Sequence, residues 1–330
     1  MLKRWLSGAL ATTMLLTGAN VFADSVENDI QIVNYKDGEE TYQEYVPGRY
    51  ANQDSPAVPP SITEIDDTID PEAYDNFERA GLLTSDGNFD WEAYGALPTL
   101  DKEADTYDVI GSDDRVSVGV VDDPPYYYTA YLLMEYIDAS GNSNLYRGTG
   151  FIAGEGVIAT AGHNIYSHDE DGWADNVTII LQKDNDNNPY GTTVKTQLRS
   201  NTGWTKRQET KNDWGLIETA KDLSDYVGYC GIVNPDIDVV GETMELPGYP
   251  ANVRGETDSY EMWTDTGTVL KQNADNEVYY DADTSGGNSG SGVFINTSSA
   301  IAIHAYGRGS SNSGARIQGL LYEMLQEYRR

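Results

Sequence analysis

The chain has 330 residues, with 54 acidic against 21 basic, a net charge of −33, one cysteine and three histidines. So negative a chain repels phosphate backbones, which argues against nucleic acid as a partner. A single cysteine excludes a disulfide framework and any multi-thiolate zinc or iron–sulfur site, and imidazole chemistry is confined to His163, His168 and His304.

Residues 1–23 begin with Lys3 and Arg4, continue through an uncharged, largely apolar stretch from Trp5 to Gly18, and reach Val21-Phe22-Ala23. That stretch falls short of the roughly 20 apolar residues of a membrane span, so the expectation is a cleavable export signal, cut after Ala23. No later stretch is long and apolar enough to span a bilayer, so the expectation is an exported, extracellular product with no membrane partner. Residues 24–108 carry 22 acidic and 4 basic side chains, a charge of −18, with PAVPP at 56–60. Such a stretch is expected to be extended or weakly folded, as an acidic linker or a removable pro-segment.

From Val109 onward short apolar runs alternate with Gly, Asn and Asp clusters. The runs are Thr129–Ile137, Gly148–Ile152, Val157–Ala161, Val177–Leu181, Leu216–Glu218, Thr243–Leu246, Val278–Tyr280, Val293–Ile295 and Ile301–His304. Their length and spacing predict an all-β sandwich or pair of barrels. Ile317, Leu320, Leu321, Met324, Leu325 and Tyr328 follow a helical stripe, which predicts one closing packing helix. This body, 109–330, carries 32 acids and 15 bases, a charge of −17 that solubility alone explains.

Three segments bear chemistry. Gly148–Asn164 is two apolar strands ending in Ala161-Gly162-His163, which brings the imidazole out at a strand end. Asn212-Asp213-Trp214-Gly215-Leu216-Ile217 takes an acid into an apolar strand, where it needs donors. An imidazole N–H is suitable and would fix the histidine tautomer; a strand-capping turn is the alternative. Asp283–Gly292 is the most specific segment: glycines around Ser289 allow a tight turn that exposes the hydroxyl and aims the N–H groups of Gly287 and Ser289 into one space, as an oxyanion requires. A flexible Gly/Ser loop becomes a poor account once His, Asp and Ser occur together in these contexts.

Those residues resemble the secreted bacterial glutamyl endopeptidases of the trypsin-like serine protease superfamily. T-A-G-H at 160–163, D-W-G-L-I at 213–217 and G-N-S-G-S at 287–291 are similar to its catalytic blocks, and V-I-G-S-D-D-R at 109–115 to its mature N-terminus. The resemblance spans about 109–330. It implies an all-β fold of two six-stranded antiparallel β-barrels with a C-terminal α-helix, a cleft between the barrels, and a precursor divided into 1–23, 24–108 and 109–330. It further implies cleavage of protein or peptide substrates after Glu, less readily after Asp, by a monomer without cofactor or metal. Ser289 would be the nucleophile, His163 the general base and then acid, Asp213 the orienting acid, and Gly287 and Ser289 the oxyanion donors.

In this family a threonine five residues before the nucleophile and a histidine on the following strand bind the substrate carboxylate; the matching positions are Thr284 and His304. An amine freed by cleavage before Val109 would add positive charge there. Asp283, six before Ser289, stands where Lys/Arg-specific relatives carry their pocket acid, so a Lys/Arg protease is an alternative. Gly292, in place of a frequent proline, is shared with exfoliative toxins and leaves a narrow-specificity, toxin-like protein as another alternative; a non-catalytic binding protein on the same fold is a further one, which the retention of all three catalytic residues and the glycine turn disfavours. Asn164 replaces a disulfide cysteine of many relatives, and Cys230 has no partner.

Four further features carry less. Asp184-Asn185-Asp186-Asn187-Asn188 begins like a calcium loop but has Pro189 where Gly is required and Lys195 where Glu is required. His163 and His168 lack the helical i, i+4 spacing of a zinc pair. Tyr126–Tyr128 and Cys230 are expected to pack in the core.

Overall fold

The computed structural model describes residues 30–45, 71–79, 81–86, 90, 93, 97–100, 109–119, 123–181, 191–254, 256–257, 261–273 and 275–329. The predicted export signal and the Asp184–Asn188 segment lie outside them. Among the described residues no helix is long and apolar enough to cross a membrane.

The N-terminal part supplies β1 (Gln31–Lys36), β2 (Glu39–Glu44) and helix α1 (Pro71–Arg79). The body follows with β3 (Val116–Ser117), β4 (Thr129–Ile137), β5 (Ser143–Gly154), β6 (Val157–Thr160), the one-turn α2 (Gly162–Ile165), β7 (Tyr166–Ser167), β8 (Gly172–Trp173), β9 (Asn176–Leu181), β10 (Thr192–Asn201), the one-turn α3 (Thr202–Thr205) and β11 (Gly215–Thr219). The second half holds the short α4 (Ser224–Val227), β12 (Gly231–Ile232), β13 (Thr243–Gly248), β14 (Asn252–Val253), β15 (Glu256–Thr257), β16 (Trp263–Gln272), β17 (Glu277–Tyr280), β18 (Gly292–Ile295), β19 (Ser299–Gly307), β20 (Asn312–Arg316) and α5 (Gly319–Gln326).

Strands β11-β6-β5-β4-β9-β10 form one six-stranded antiparallel barrel, closed by the β10–β11 pairing; β19-β18-β13-β16-β17-β20 form a second, closed by β19–β20. Closure removes the open edges that a flat sheet would leave. Local chemistry sets the hairpins. Asp138 Oδ1 accepts the N–H groups of Ser140 (2.8 Å) and Asn142 (2.9 Å), and Gly141 takes a positive φ of 83°, so β4 turns back into β5. Alternation decides what faces inward: Ala130, Leu132, Met134 and Tyr136 of β4 share the main core with Phe151 and Ile217. The second barrel fills with Met244, Leu246, Val269, Val278, Tyr280 and Val293. Phe151 and Phe294 meet edge to face at 5.5 Å between centroids, joining the two barrels.

The closing helix packs as its stripe predicts, with Leu321, Met324 and Leu325 buried in the main core. Tyr127 and Tyr128 are buried, and so is Cys230, whose thiol is pushed up to about 12 by that burial.

The acidic stretch departs from expectation. Instead of being extended or weakly folded, its described residues form the β1–β2 hairpin and α1, and both dock on the first barrel. β1 pairs with β10 in antiparallel register (Ile32↔Asn201, Val33↔Ser200), and Ile32, Val33, Ala73 and Phe77 are buried. Local charge density did not foresee this because the apolar partners, such as Tyr131 and Ile180 for Phe77, lie about fifty to a hundred residues or more away along the chain.

Candidate active site

His163 leaves the end of β6 on α2. A Cβ on Gly162 would lie 2.8 Å from Asp213 Oδ1, so a residue without a side chain lets the carboxylate come this near. Asp213 ends the 3₁₀ turn of Thr210–Asn212, enters β11 and is fully buried. Its Oδ1 accepts the His163 backbone N–H at 2.8 Å, and its Oδ2 lies 2.7 Å from His163 Nδ1. The Tyr306 hydroxyl, arriving from β19 of the other barrel, donates to the same Oδ2. Three donors thus compensate a carboxylate that water does not reach, as burial of a charge demands. A carboxylate against Nδ1 favours the tautomer with the proton on Nδ1, which leaves Nε2 as the basic nitrogen.

The segment around Ser289 is shaped by two glycines of positive φ, Gly287 (93°) and Gly290 (92°). Neither could carry a side chain: an added Cβ would stand 2.4 Å from Tyr249 O at Gly287 and 2.0 Å from Thr149 O at Gly290. Asn288 Oδ1 accepts the Ser285 N–H at 3.0 Å, and Asn288 N donates to Ser285 O at 3.0 Å, bracing the turn from within. The first barrel grips it from outside. Thr149 N donates to Ser289 O (3.0 Å), Thr149 Oγ1 donates to Gly287 O (2.7 Å), and Asn164 Nδ2 donates to Ser289 O (2.8 Å) and Thr160 Oγ1 (2.9 Å). Ser289 is therefore tied to the residue next to His163, at the junction of the barrels.

Beside this turn lies His304, buried on β19, its backbone bonded on both sides: Gly290 N donates to His304 O and His304 N to Ser291 O, each at 2.8 Å. His304 Nδ1 is 2.6 Å from the Tyr280 hydroxyl, whose full burial holds it well above the usual phenol range and therefore protonated. Thr284 is fully buried and its Oγ1 meets no hydrogen-bond partner among the described residues. Asp283 has both carboxylate oxygens engaged: Oδ1 accepts Ile110 N at 2.6 Å and Oδ2 accepts Asp114 N at 3.3 Å, while burial raises its pKa. Val109 is exposed, one residue from that tether. His168 lies elsewhere, with Nε2 3.0 Å from Trp204 O.

Three contributors were not legible in the sequence. Tyr306 reaches Asp213 across the barrel interface, a contact no local spacing announces. Asn164, noted only as a missing cysteine, clasps the Ser289 carbonyl. Arg115, buried, pairs with Asp113 (2.6 Å) and donates to Ser285 Oγ (2.9 Å), fastening the 109–117 segment to the turn; a lone arginine in an acidic run was the available signal.

The trypsin family model matches residues 137–322, more than half of the chain. Two relatives cover most of it: an extracellular metalloprotease of Bacillus subtilis (strain 168), 32% identical over 71% of this chain and 74% of its own, and a glutamyl endopeptidase of Bacillus licheniformis, 31% identical over 67% and 69%. A solved Glu endopeptidase in complex with MPD superposes with a TM-score of 0.59 at 24% identity, over 67% of this chain and 98% of that one. The protease Anisep of Arthrobacter nicotinovorans superposes with a TM-score of 0.53 at 18% identity, over 64% and 99%, a likeness of fold. With two closed barrels, a part-buried His163 paired to a buried Asp213 and a glycine-bounded serine turn between them, this chain belongs to the trypsin family of serine peptidases.

Proposed function

We propose that the chain is an exported precursor of a serine endopeptidase that cuts after Glu, less readily after Asp. The observation that carries the reading is the His163–Asp213 pair held beside the Ser289 turn by Asn164 and Thr149. His163 Nε2 takes the proton of the Ser289 hydroxyl as Oγ attacks the scissile carbonyl. The imidazolium that forms is held by Asp213 through Nδ1–H, and the N–H groups of Gly287 and Ser289 receive the oxyanion. His163 then returns the proton to the departing amine, leaving an acyl-enzyme. Water, deprotonated by His163, repeats the sequence and releases the acid and the free serine.

Selection for a carboxylate side chain is supported by the donors near the turn. A Tyr280 hydroxyl donating to His304 Nδ1 would leave Nε2–H to face the substrate. A buried, unpartnered hydroxyl such as that of Thr284 costs about 1–3 kcal/mol, a cost that a ligand oxygen removes. Asp283, on which the Lys/Arg alternative rests, is satisfied by the Ile110 and Asp114 N–H groups. Cleavage before Val109 would free an amine one residue from that tether, so 24–108 is read as a pro-segment and 1–23 as an export signal. The relative named an extracellular metalloprotease favours export.

The metalloprotease name of one relative raises metal-centred hydrolysis, and the donor set does not fit it. The three histidines are spread over Asp213, Trp204 O and Tyr280. The carboxylate cluster found among the described residues, Asp114, Asp265 and Asp283, contains no imidazole, and two of its members accept backbone N–H groups.

Peptide-library cleavage tests the specificity: cutting is expected to concentrate after Glu, with Asp second, and predominant cutting after Lys or Arg would reject the pocket assignment. A second measurement addresses Tyr306. Removing its hydroxyl in Tyr306→Phe takes one charge-assisted hydrogen bond from Asp213, worth roughly 1.5–3 kcal/mol. The expected result is kcat lowered about 10-fold or more, with KM unchanged; an equal change in KM would place Tyr306 in substrate binding instead.

A further inference from the structure

The outer wall of the first barrel is apolar where a solvated barrel would be polar. On β4, Tyr131 and Leu133 point away from the core that holds Leu132 and Met134, yet they are 0% and 3% exposed. Ile180 of β9 and Val194 of β10 share that outer face at 0% and 2%. Antiparallel strands alternate apolar and polar when one face meets water, so an outer face this apolar needs a cover. Tyr249 and Met262 of the body cover part of it, Tyr249 edge to face on Tyr131 at 5.2 Å between ring centroids, and the acidic stretch covers more: Ala73 and Phe77 of α1, with Leu82, lie in the same cluster.

A second anchor is independent of the first. β1 extends the sheet along β10, burying Ile32 and Val33, and the Tyr35 ring stacks on Trp173 at 5.3 Å and 3°. Further along, Arg147 N donates to Pro98 O at 2.9 Å. Residues 24–108 and 109–330 carry −18 and −17. Like charges oppose their association, so burial and backbone pairing must hold it.

We propose that the segment 24–108 remains docked on the first barrel after the chain is cut before Val109, as a non-covalent second chain of the mature enzyme. Its place is a wall of the fold. This rests on the maturation reading given above.

The test uses the chain from Asp24 to Arg330 with a site for a sequence-specific heterologous protease within 101–108. After the cut, gel filtration in 0.5 M salt is the readout; salt at about this level screens surface charge and leaves apolar contacts intact. Both pieces in one peak are expected, separating only in denaturant; two native peaks would overturn the proposal. In the same chain, Phe77→Ala is expected to weaken retention about 100-fold in dissociation constant, by analogy with large-to-small core changes, and unaltered retention would overturn the anchoring role of α1. Glu-peptide turnover before and after the cut reports separately on maturation. Activation with release sinks this proposal alone, whereas retention without activation sinks the maturation reading alone.

Discussion

Ser289→Ala is expected to abolish covalent labelling by a fluorophosphonate and to lower kcat on a Glu-containing peptide by about 10⁶-fold, the loss typical of a triad nucleophile. The backbone should be untouched, because the Thr149 N–H and the Asn164 amide both bond the Ser289 carbonyl, which alanine keeps. A thermal midpoint equal to that of the parent, beside lost turnover, separates lost chemistry from lost folding. Some acceleration should survive, since the Gly287 and residue 289 N–H groups remain to receive an oxyanion. His163→Ala should fall to a similar floor, and the double variant no lower, because the two side chains perform one proton transfer. Labelling that persists in Ser289→Ala would move the nucleophile elsewhere and undo the mechanism.

The parts legible in the sequence are those whose signal is local. Each apolar run, from Thr129–Ile137 to Ile301–His304, falls on a barrel strand, because a strand buried on one or both faces is written in its own residues. The glycine signal around Ser289 was local too: Gly287 and Gly290 both adopt the left-handed region that a side chain disfavours. Three barrel strands escaped this reading. β10 (TTVKTQLRSN), β16 (TDTGTVLKQ after Trp263) and β20 (NSGAR) are polar or small, and pairing with neighbours on both sides makes them strands. β20 is buried throughout because it closes the second barrel between β17 and β19, a property of the ring. The acidic stretch failed for a related reason: Ile32 and Phe77 are apolar islands in a charged run, and much of what they pack against, on β4, β9 and β10, is distant in sequence. The proposed catalytic residues sit in three separate local motifs, whereas the bracing of Asp213 and of the Ser289 turn by Tyr306, Asn164 and Arg115 arises from contacts between elements, for which a lone arginine in an acidic run is the one local sign.

Asp213→Asn isolates what the buried carboxylate does, because it preserves shape while changing the pattern of donors and acceptors. Asp213 now accepts from the His163 backbone N–H, from His163 Nδ1–H and from the Tyr306 hydroxyl. Asparagine offers one acceptor oxygen and one N–H₂ group. If the oxygen stays with the His163 backbone, the N–H₂ faces Nδ1 and must donate to it, which moves the ring proton to Nε2. That nitrogen can no longer take the Ser289 proton, so kcat is expected to fall about 10⁴-fold, the scale of a wrong-tautomer defect, with KM little changed. The same N–H₂ would confront the Tyr306 hydroxyl, which must rotate or become the acceptor. Adding Tyr306→Phe should therefore cost little beyond the single substitution, a non-additive outcome, because the hydroxyl acts only through the carboxylate. Losses that multiply would show that Tyr306 serves the reaction by a route independent of Asp213, and a drop below 10-fold in Asp213→Asn alone would deprive the carboxylate of its orienting role.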